Sequence, residues 1–187
     1  DIVARTIATS KSLFAQGTYP LTGTVNLTLG ARYTDDNSDY TGAENGNLLS
    51  GGSIHLVPEN TGNLSYKKPT WRLSLDRKFS DDVLGYVSYN RGLNAGDFRV
   101  GGPVGAAALY QPEELNAYEI GVRSELFGHR IRLNAAGFYY DYTNMQFQKI
   151  VQGSTITLNA DSAKIYGAEV ELEARATAAE ERASEAE

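Results

Sequence analysis

Apolar and polar residues alternate with a period of two along five separate stretches of the chain, and this constrains the fold more than any other feature of its sequence. Successive side chains of an extended strand point to opposite faces, so the repeat gives each strand one apolar and one polar face. Val25, Leu27, Leu29, Ala31 and Tyr33 share a face, against Asn26, Thr28, Gly30, Arg32 and Thr34. Trp71, Leu73, Leu75 and Phe79 oppose Arg72, Ser74, Asp76 and Lys78. Tyr118, Ile120, Val122 and Leu126 oppose Glu119, Gly121, Arg123 and Glu125. Ile131, Leu133, Ala135 and Tyr139 oppose Arg132, Asn134 and Ala136, and Ala168, Val170, Leu172 and Ala174 oppose Glu169, Glu171 and Glu173. Two further stretches, about Thr9–Gln16 and Val83–Arg91, read as strands without a clear apolar face.

The connections alternate in length. Gly17–Leu21, Ser80–Asp82 and Phe127–Arg130 are tight, whereas Asp36–Pro69, Gly92–Glu114 and Thr143–Ser162 read as long loops rich in Gly, Asn, Asp and Ser. Structureless loops of this length are uncommon in compact soluble domains. Outer-membrane barrels place short turns on the periplasmic side and long loops outside. A tilted strand of about 10 residues spans about 23 Å, close to the apolar band of such barrels. The expectation is an all-β, antiparallel, up-and-down transmembrane barrel section. Seven strands are counted, and in a meander an odd number cannot close antiparallel, so about seven or eight strands of a larger barrel are expected. Unpaired strand edges are not tolerated in lipid. The acidic, helix-prone residues 176–187 show no alternation and are set apart from a barrel section over 1–175.

Several stretches resemble the barrel of TonB-dependent outer-membrane receptors: SLFAQGTYPLT, LTLGARYTDD, KPTWRLSLDRKFSDDVLGYVSYNRG, YQPEELNAYEIGVRSELFGHRIRLNAAGFYYDYTNMQ and NADSAKIYGAEVELEAR. They cover most of residues 10–175. The most specific part is YEIGVRSEL, a tight turn, a Tyr-rich strand, a loop and YGAEVELE. The family's plug domain, its TonB-contacting box and its closing strands have no counterpart in this sequence. The resemblance implies a middle-to-late section of a 22-stranded barrel. It also implies an outer-membrane location in a Gram-negative bacterium and energy-coupled uptake of a scarce ligand such as a ferric siderophore. The partners it implies are the TonB complex acting through a plug, outer-membrane lipid and a small ligand such as a metal chelate. A passive porin or structural barrel and a soluble carbohydrate-binding β-sandwich are the alternatives.

In a barrel, Arg32, Arg72, Asp76, Glu119, Arg123, Glu169 and Glu171 face an aqueous lumen, with Lys78, Glu125 and Glu173 beside them. Arg77 interrupts the apolar face next to a tight turn, where a long cationic side chain can reach the interface. Tyrosine outnumbers phenylalanine 12 to 6. Tyr86, Tyr89, Tyr118, Tyr139, Tyr140 and Tyr142, with Trp71, are expected to form an interfacial girdle. Ligand capture belongs to the long loops, where the candidates are Tyr40, His55, Phe98, Arg99 and Tyr110. Other functions find little support. The charge of -6 leaves no phosphate-neutralising patch for nucleic acid. Asp35, Asn37 and Asp39 have the spacing of a calcium loop, but Tyr40 and Gly46 stand where Gly and Glu are required, so no metal site is expected. His55 and His129 fall at opposite ends of the strands, too far apart to share acid–base chemistry. The Gly-rich stretches do not lead from strand into helix as nucleotide-binding loops do, so neither a cofactor nor an enzymatic activity is expected.

Overall fold

A computed structural model of the chain describes residues 2–47, 53–99, 108–151 and 154–175, with side chains described for 4–42, 61–98, 109–150 and 155–175. The elements are β1 (Ile2–Pro20), β2 (Val25–Asn47), β3 (Ser53–Ser80), β4 (Val83–Asn94), β5 (Asp97–Arg99), β6 (Ala108–Tyr110), β7 (Glu113–Leu126), β8 (Ile131–Val151) and β9 (Ser154–Ala174). Seven of them form one sheet in the order β1-β2-β3-β4-β7-β8-β9, and β5 and β6 form a separate two-stranded ladder. Every pairing is antiparallel. β1 and β9 end the strand order, so the sheet is open. No helix occurs among the described residues. The β-sandwich alternative fails here, because a sandwich must cover its apolar face with a second sheet and the only other ladder among the described residues has three residues per strand.

The register carries the alternation across the sheet. Leu27, Leu75, Val87, Ile120, Gly137 and Ala168 form one cross-strand row. Next to it on the same face runs Leu29, Leu73, Tyr89, Tyr118, Tyr139 and Tyr166. Side chains on this face are uncovered: Ile120 is 63% exposed, and Val170 and Leu172, in further rows of the same parity, 72% and 68%. On the other face Asn26, Asp76, Tyr86, Gly121, Ala136 and Glu169 form a row. The described part of the sheet thus has an apolar face open to its surroundings and a charged face behind it.

Aromatic rings mark where the apolar band ends. Tyr89 and Tyr118 stack at 4.7 Å, Tyr118 and Tyr139 lie 6.3 Å apart, and Trp71 meets Tyr89 edge-on at 6.2 Å. Tyr19, Phe79 and Phe127, all strongly exposed, stand near the tight-turn end. The eight-residue rise from Ile131 to Tyr139 along a strand tilted about 45° corresponds to roughly 19 Å between the two aromatic edges. Three of the seven expected girdle residues are corrected. Tyr86, Tyr140 and Tyr142 have the opposite parity and lie on the charged face, where the Tyr86 hydroxyl donates to Glu119. Aromatic content identified the girdle, but only parity assigns each ring to a face.

The long loops are also corrected. Over its described residues Asp36–Pro69 is not a loop: β2 and β3 stay paired from Asp36↔Tyr66 to Asn47↔Ser53, with register shifts beyond Gly42. Thr143–Ser162 likewise forms the paired ends of β8 and β9. Beyond the tyrosine row apolar residues are too sparse to keep the two-residue repeat that marks a strand in sequence, while the hydrogen-bonded ladder continues. The first tight turn shifts as well, since β1 extends to Pro20. The turn is made at 21–24, where Leu21 N donates to Val25 O (2.8 Å) and Thr22 Oγ1 accepts from Thr24 N and Val25 N. In the third turn, Phe127, Gly128 and His129 all adopt positive φ (55°, 64° and 65°). The acidic segment 176–187 lies outside the described residues.

Candidate functional site

Beyond the tyrosine row, the sheet's only deeply buried apolar side chains among the described residues are Tyr40, Leu64 and Ile156. Two of them belong to the β2–β3 hairpin, which packs against the β5–β6 ladder. The Tyr40 and Phe98 rings stack with centroids 5.3 Å apart. The Phe98 ring lies directly over Gly62, where a Cβ would come within 2.4 Å of it, so this approach requires glycine. Ser38 Oγ donates to Asp97 Oδ1 (2.7 Å), and Asp97 also accepts from Phe98 N (2.8 Å).

On its other side the small ladder is held by amides from β8 and β9. Gln146 Nε2 donates to Ala95 O and Gln111 O, and Asn94 Nδ2 donates to Gln146 Oε1. Asn159 Oδ1 accepts from Gln111 N (2.7 Å), and its Nδ2 donates to Gln111 O and Asn144 O. The β5–β6 flap therefore braces the two long hairpins against each other.

A cleft of about 450 Å3 opens beneath this brace, lined by Ser10, Asp36, Tyr66, Gly96, Tyr110 and Gln146 among others. Asp36 and Tyr66 are cross-strand partners. Asp36 Oδ1 and the Tyr66 hydroxyl are both buried without a well-aligned hydrogen-bond partner, although the two groups lie close enough to act on each other. A buried polar atom left unpaired costs roughly 1–3 kcal/mol. Burial holds the Tyr66 phenol well above the ordinary tyrosine range, and the Asp36 carboxylate pushes it the same way. Tyr110, opposite Asp97 in the ladder, is raised by burial first and by the Asp97 carboxylate second.

Among the sequence candidates, Tyr40, Phe98 and Tyr110 converge around this flap. Tyr40, only 5% exposed, packs inside the hairpin and presents no free ring surface. His55 stands opposite Asn45 on β3 and Arg99 opposite Ala108 on β5, but their side chains lie outside the described residues. Asp36, Ser38, Tyr66, Asp97, Gln146 and Asn159 were not singled out from the sequence. Each is an ordinary polar residue in a polar stretch, and only the pairing of distant segments brings them together.

The charged face is ordered by its own contacts. Asn26 Nδ2 donates to Asp76 Oδ2 (2.9 Å), Arg123 lies over the Tyr86 ring (5.2 Å), and Asn134 Nδ2 donates to Glu171 Oε2 (2.9 Å). Glu119 accepts from Tyr86, Arg72 pairs across from Asn90, and Glu169 across from Ala136. Arg32 Nε donates to Thr34 Oγ1 (3.3 Å) at the base of the long hairpin. All seven predicted charged positions thus fall on one face of the sheet, opposite the apolar one. No group of three or more His, Cys, Asp or Glu side chains at metal-binding separation occurs among the described residues.

A family model described as TonB dependent receptor-like, beta-barrel, matches residues 2–180. Among solved structures, the chain is similar to the ferric yersiniabactin uptake receptor FyuA of Yersinia pestis, with TM-score 0.75 and 23% identity over 95% of this chain and 26% of that one. It is also similar to the ferric-catecholate import receptor Fiu of E. coli K12, with TM-score 0.66 and 18% identity over 94% and 27% of the two chains. The siderophore receptor PiuA of Acinetobacter baumannii gives TM-score 0.64 and 20% identity over 92% and 24%. The chain spans about a quarter of each of these structures. At these identities the likeness concerns the fold. No curated protein sequence matches the chain.

Proposed function

Because the chain belongs to the TonB-dependent receptor-like β-barrel family, we propose that it forms part of the wall and outer hairpins of an outer-membrane receptor that imports a scarce ligand, a metal chelate such as a ferric siderophore. One observation carries this reading. The exposed apolar face is edged by aromatic rows, and beyond the tyrosine row the same strands continue as long paired hairpins. Such a face suits lipid, whose apolar interior leaves Ile120 and Val170 uncovered at no cost. The opposite face then borders an aqueous lumen, where Arg72, Asp76, Glu119, Arg123, Glu169 and Glu171 remain ionised.

In this reading the outer hairpins meet the ligand before the barrel does, and the cleft beneath β5–β6 is the contact point. The Asp36 carboxylate and the Tyr66 phenol, adjacent across the strands, line its wall. Import is driven by the inner-membrane proton gradient through TonB, which reaches such a receptor by way of its plug. The iron chemistries named for the neighbouring structures, ferric yersiniabactin and ferric catecholate, set the first ligands to try.

The test is uptake of radiolabelled iron, supplied as catecholate and phenolate chelates, by iron-starved cells expressing the receptor that contains this segment. Uptake that requires the receptor, stops when an uncoupler collapses the proton gradient and weakens in Asp36→Asn is the expected result. Receptor-dependent entry that ignores the uncoupler contradicts energy coupling and favours the passive-pore alternative.

A further inference from the structure

The apolar face is not uniform, and near its tight-turn end it contains a groove of about 610 Å3 lined by Leu75, Phe79, Gly85, Ala135, Gly137 and Val170. Three of these six residues are glycine or alanine, so the backbone forms the floor. Phe79 makes one wall: its ring lies over Gly85, where a Cβ would come within 2.6 Å of it, and a larger residue at 85 would push the ring into the groove.

At the mouth stands Arg77, paired across the sheet with Gly85 and exposed. Its guanidinium carbon lies 5.4 Å above the Phe79 ring. Arg77 takes part in no ion pair among the described residues; neither do Arg72 and Arg123 on the charged face, whereas Arg91, of the same parity as Arg77, pairs with Glu114. A cation–π contact orients a guanidinium but does not neutralise it, and an arginine bordering an apolar medium is costly unless it meets an anion.

The geometry points to a bound anionic phospholipid: one acyl chain in the groove and the phosphate on Arg77, in the leaflet nearest the tight turns. This rests on the membrane-spanning reading above. The groove supplies the apolar half of the site and the unpaired guanidinium the charged half, and guanidinium–phosphate hydrogen bonding is among the stronger charge-assisted contacts. A zwitterionic lipid fits the groove equally well but carries its own cation beside the phosphate, so the site prefers a net-negative headgroup.

The test uses the receptor that contains this segment, in phosphatidylcholine vesicles doped with photoactivatable phosphatidylglycerol, with labelled peptides mapped by mass spectrometry. Label is expected to concentrate on the Leu75–Val87 and Ala135–Gly137 peptides. Unlabelled phosphatidylglycerol should compete it away and phosphatidylcholine should not. Arg77→Gln should lower it about tenfold, the loss of one charge-assisted hydrogen bond, while Arg77→Lys retains most of it. Ala135→Phe, which fills the floor, should lower it with Arg77 intact. Label spread evenly, with the Leu27 peptide equal to the groove peptides, overturns the site while leaving the membrane reading standing. Equal competition by the two lipids overturns it without any variant. Label no higher than in lipid-free controls overturns the membrane reading and the site together.

Discussion

The same strands build two regions that are stabilised in opposite ways. Between the aromatic rows the sheet has no apolar core: Ile120, Val170 and Leu172 stand exposed, and the sheet is held by its ladder and by the medium it faces. Beyond the tyrosine row the pairing continues, but Tyr40 and Leu64 are buried there and polar side chains such as Thr34 and Ser38 are buried with them. That extension behaves as a small water-soluble structure standing on a membrane one. Backbone hydrogen bonding is common to both regions, so what distinguishes them is the solvent each side chain meets.

The largest effect that sharpens the contrast is expected at Tyr40. Tyr40→Ala removes a buried ring stacked on Phe98 and should destabilise the extension by about 3 kcal/mol. Hydrogen exchange should show faster amides in β5, β6 and the outer half of β2, with β7 and inner β8 unchanged. Equal loosening of the band would mean that the two regions form one cooperative unit.

Next is Ile120→Arg. Water tolerates an arginine at an exposed position, but a lipid-facing one costs about 2 kcal/mol below the interface. Urea unfolding from lipid vesicles should show that loss. Ser65→Arg, exposed on the extension, should shift the same measurement by less than about 0.5 kcal/mol. Equal effects at the two sites would remove the distinction between them.

A smaller effect sits at the boundary. Glu114 is paired with Arg91 and lies 2.8 Å from Lys68 Nζ, and Arg91 in turn lies 5.1 Å over Trp71. The hydrogen bond from Lys68 holds the Glu114 carboxyl below the usual glutamate value, with Arg91 adding to the effect. A depressed folded-state pKa means that the stabilisation is fully present above the unfolded value, about 4.3, and is lost as pH falls through the lower folded value. Fluorescence of Trp71, the only tryptophan, should therefore change on acidification below the ordinary glutamate range. In Glu114→Gln that transition should vanish, at a stability cost on the order of 1 kcal/mol.

The same division explains how far the sequence could be read. Residues 25–33, 71–79, 118–126 and 168–174 were legible because two unlike solvents require unlike side chains at alternate positions, and the period of two records that requirement. In DDNSDYTGAENGN apolar residues do not recur at alternate positions, so nothing in the pattern separates a paired strand from a loop. Asn, Asp and Gly are poor strand formers, and the ladder there is propagated from the better-formed strands below. The cleft was less legible still. Asp36 and Tyr66 come together through a hairpin register, and Gln146 and Asn159 reach the flap from the far side of the sheet, all depending on long-range pairing. Tyr86 shows the limit within the band itself, since its side of the sheet follows from a β4 parity that the sequence left ambiguous.

The claim beneath all of this is that the face bearing Ile120 and Val122 meets lipid while the face bearing Glu119 and Arg123 meets water. Spin labels attached to Glu119→Cys, Ile120→Cys, Val122→Cys and Arg123→Cys in lipid vesicles test it directly by collision with lipid-soluble oxygen and with a water-soluble nickel complex. The account predicts oxygen-dominated collisions at 120 and 122 and nickel-dominated collisions at 119 and 123. Nickel-dominated collisions at all four positions, or the reverse alternation, would contradict it.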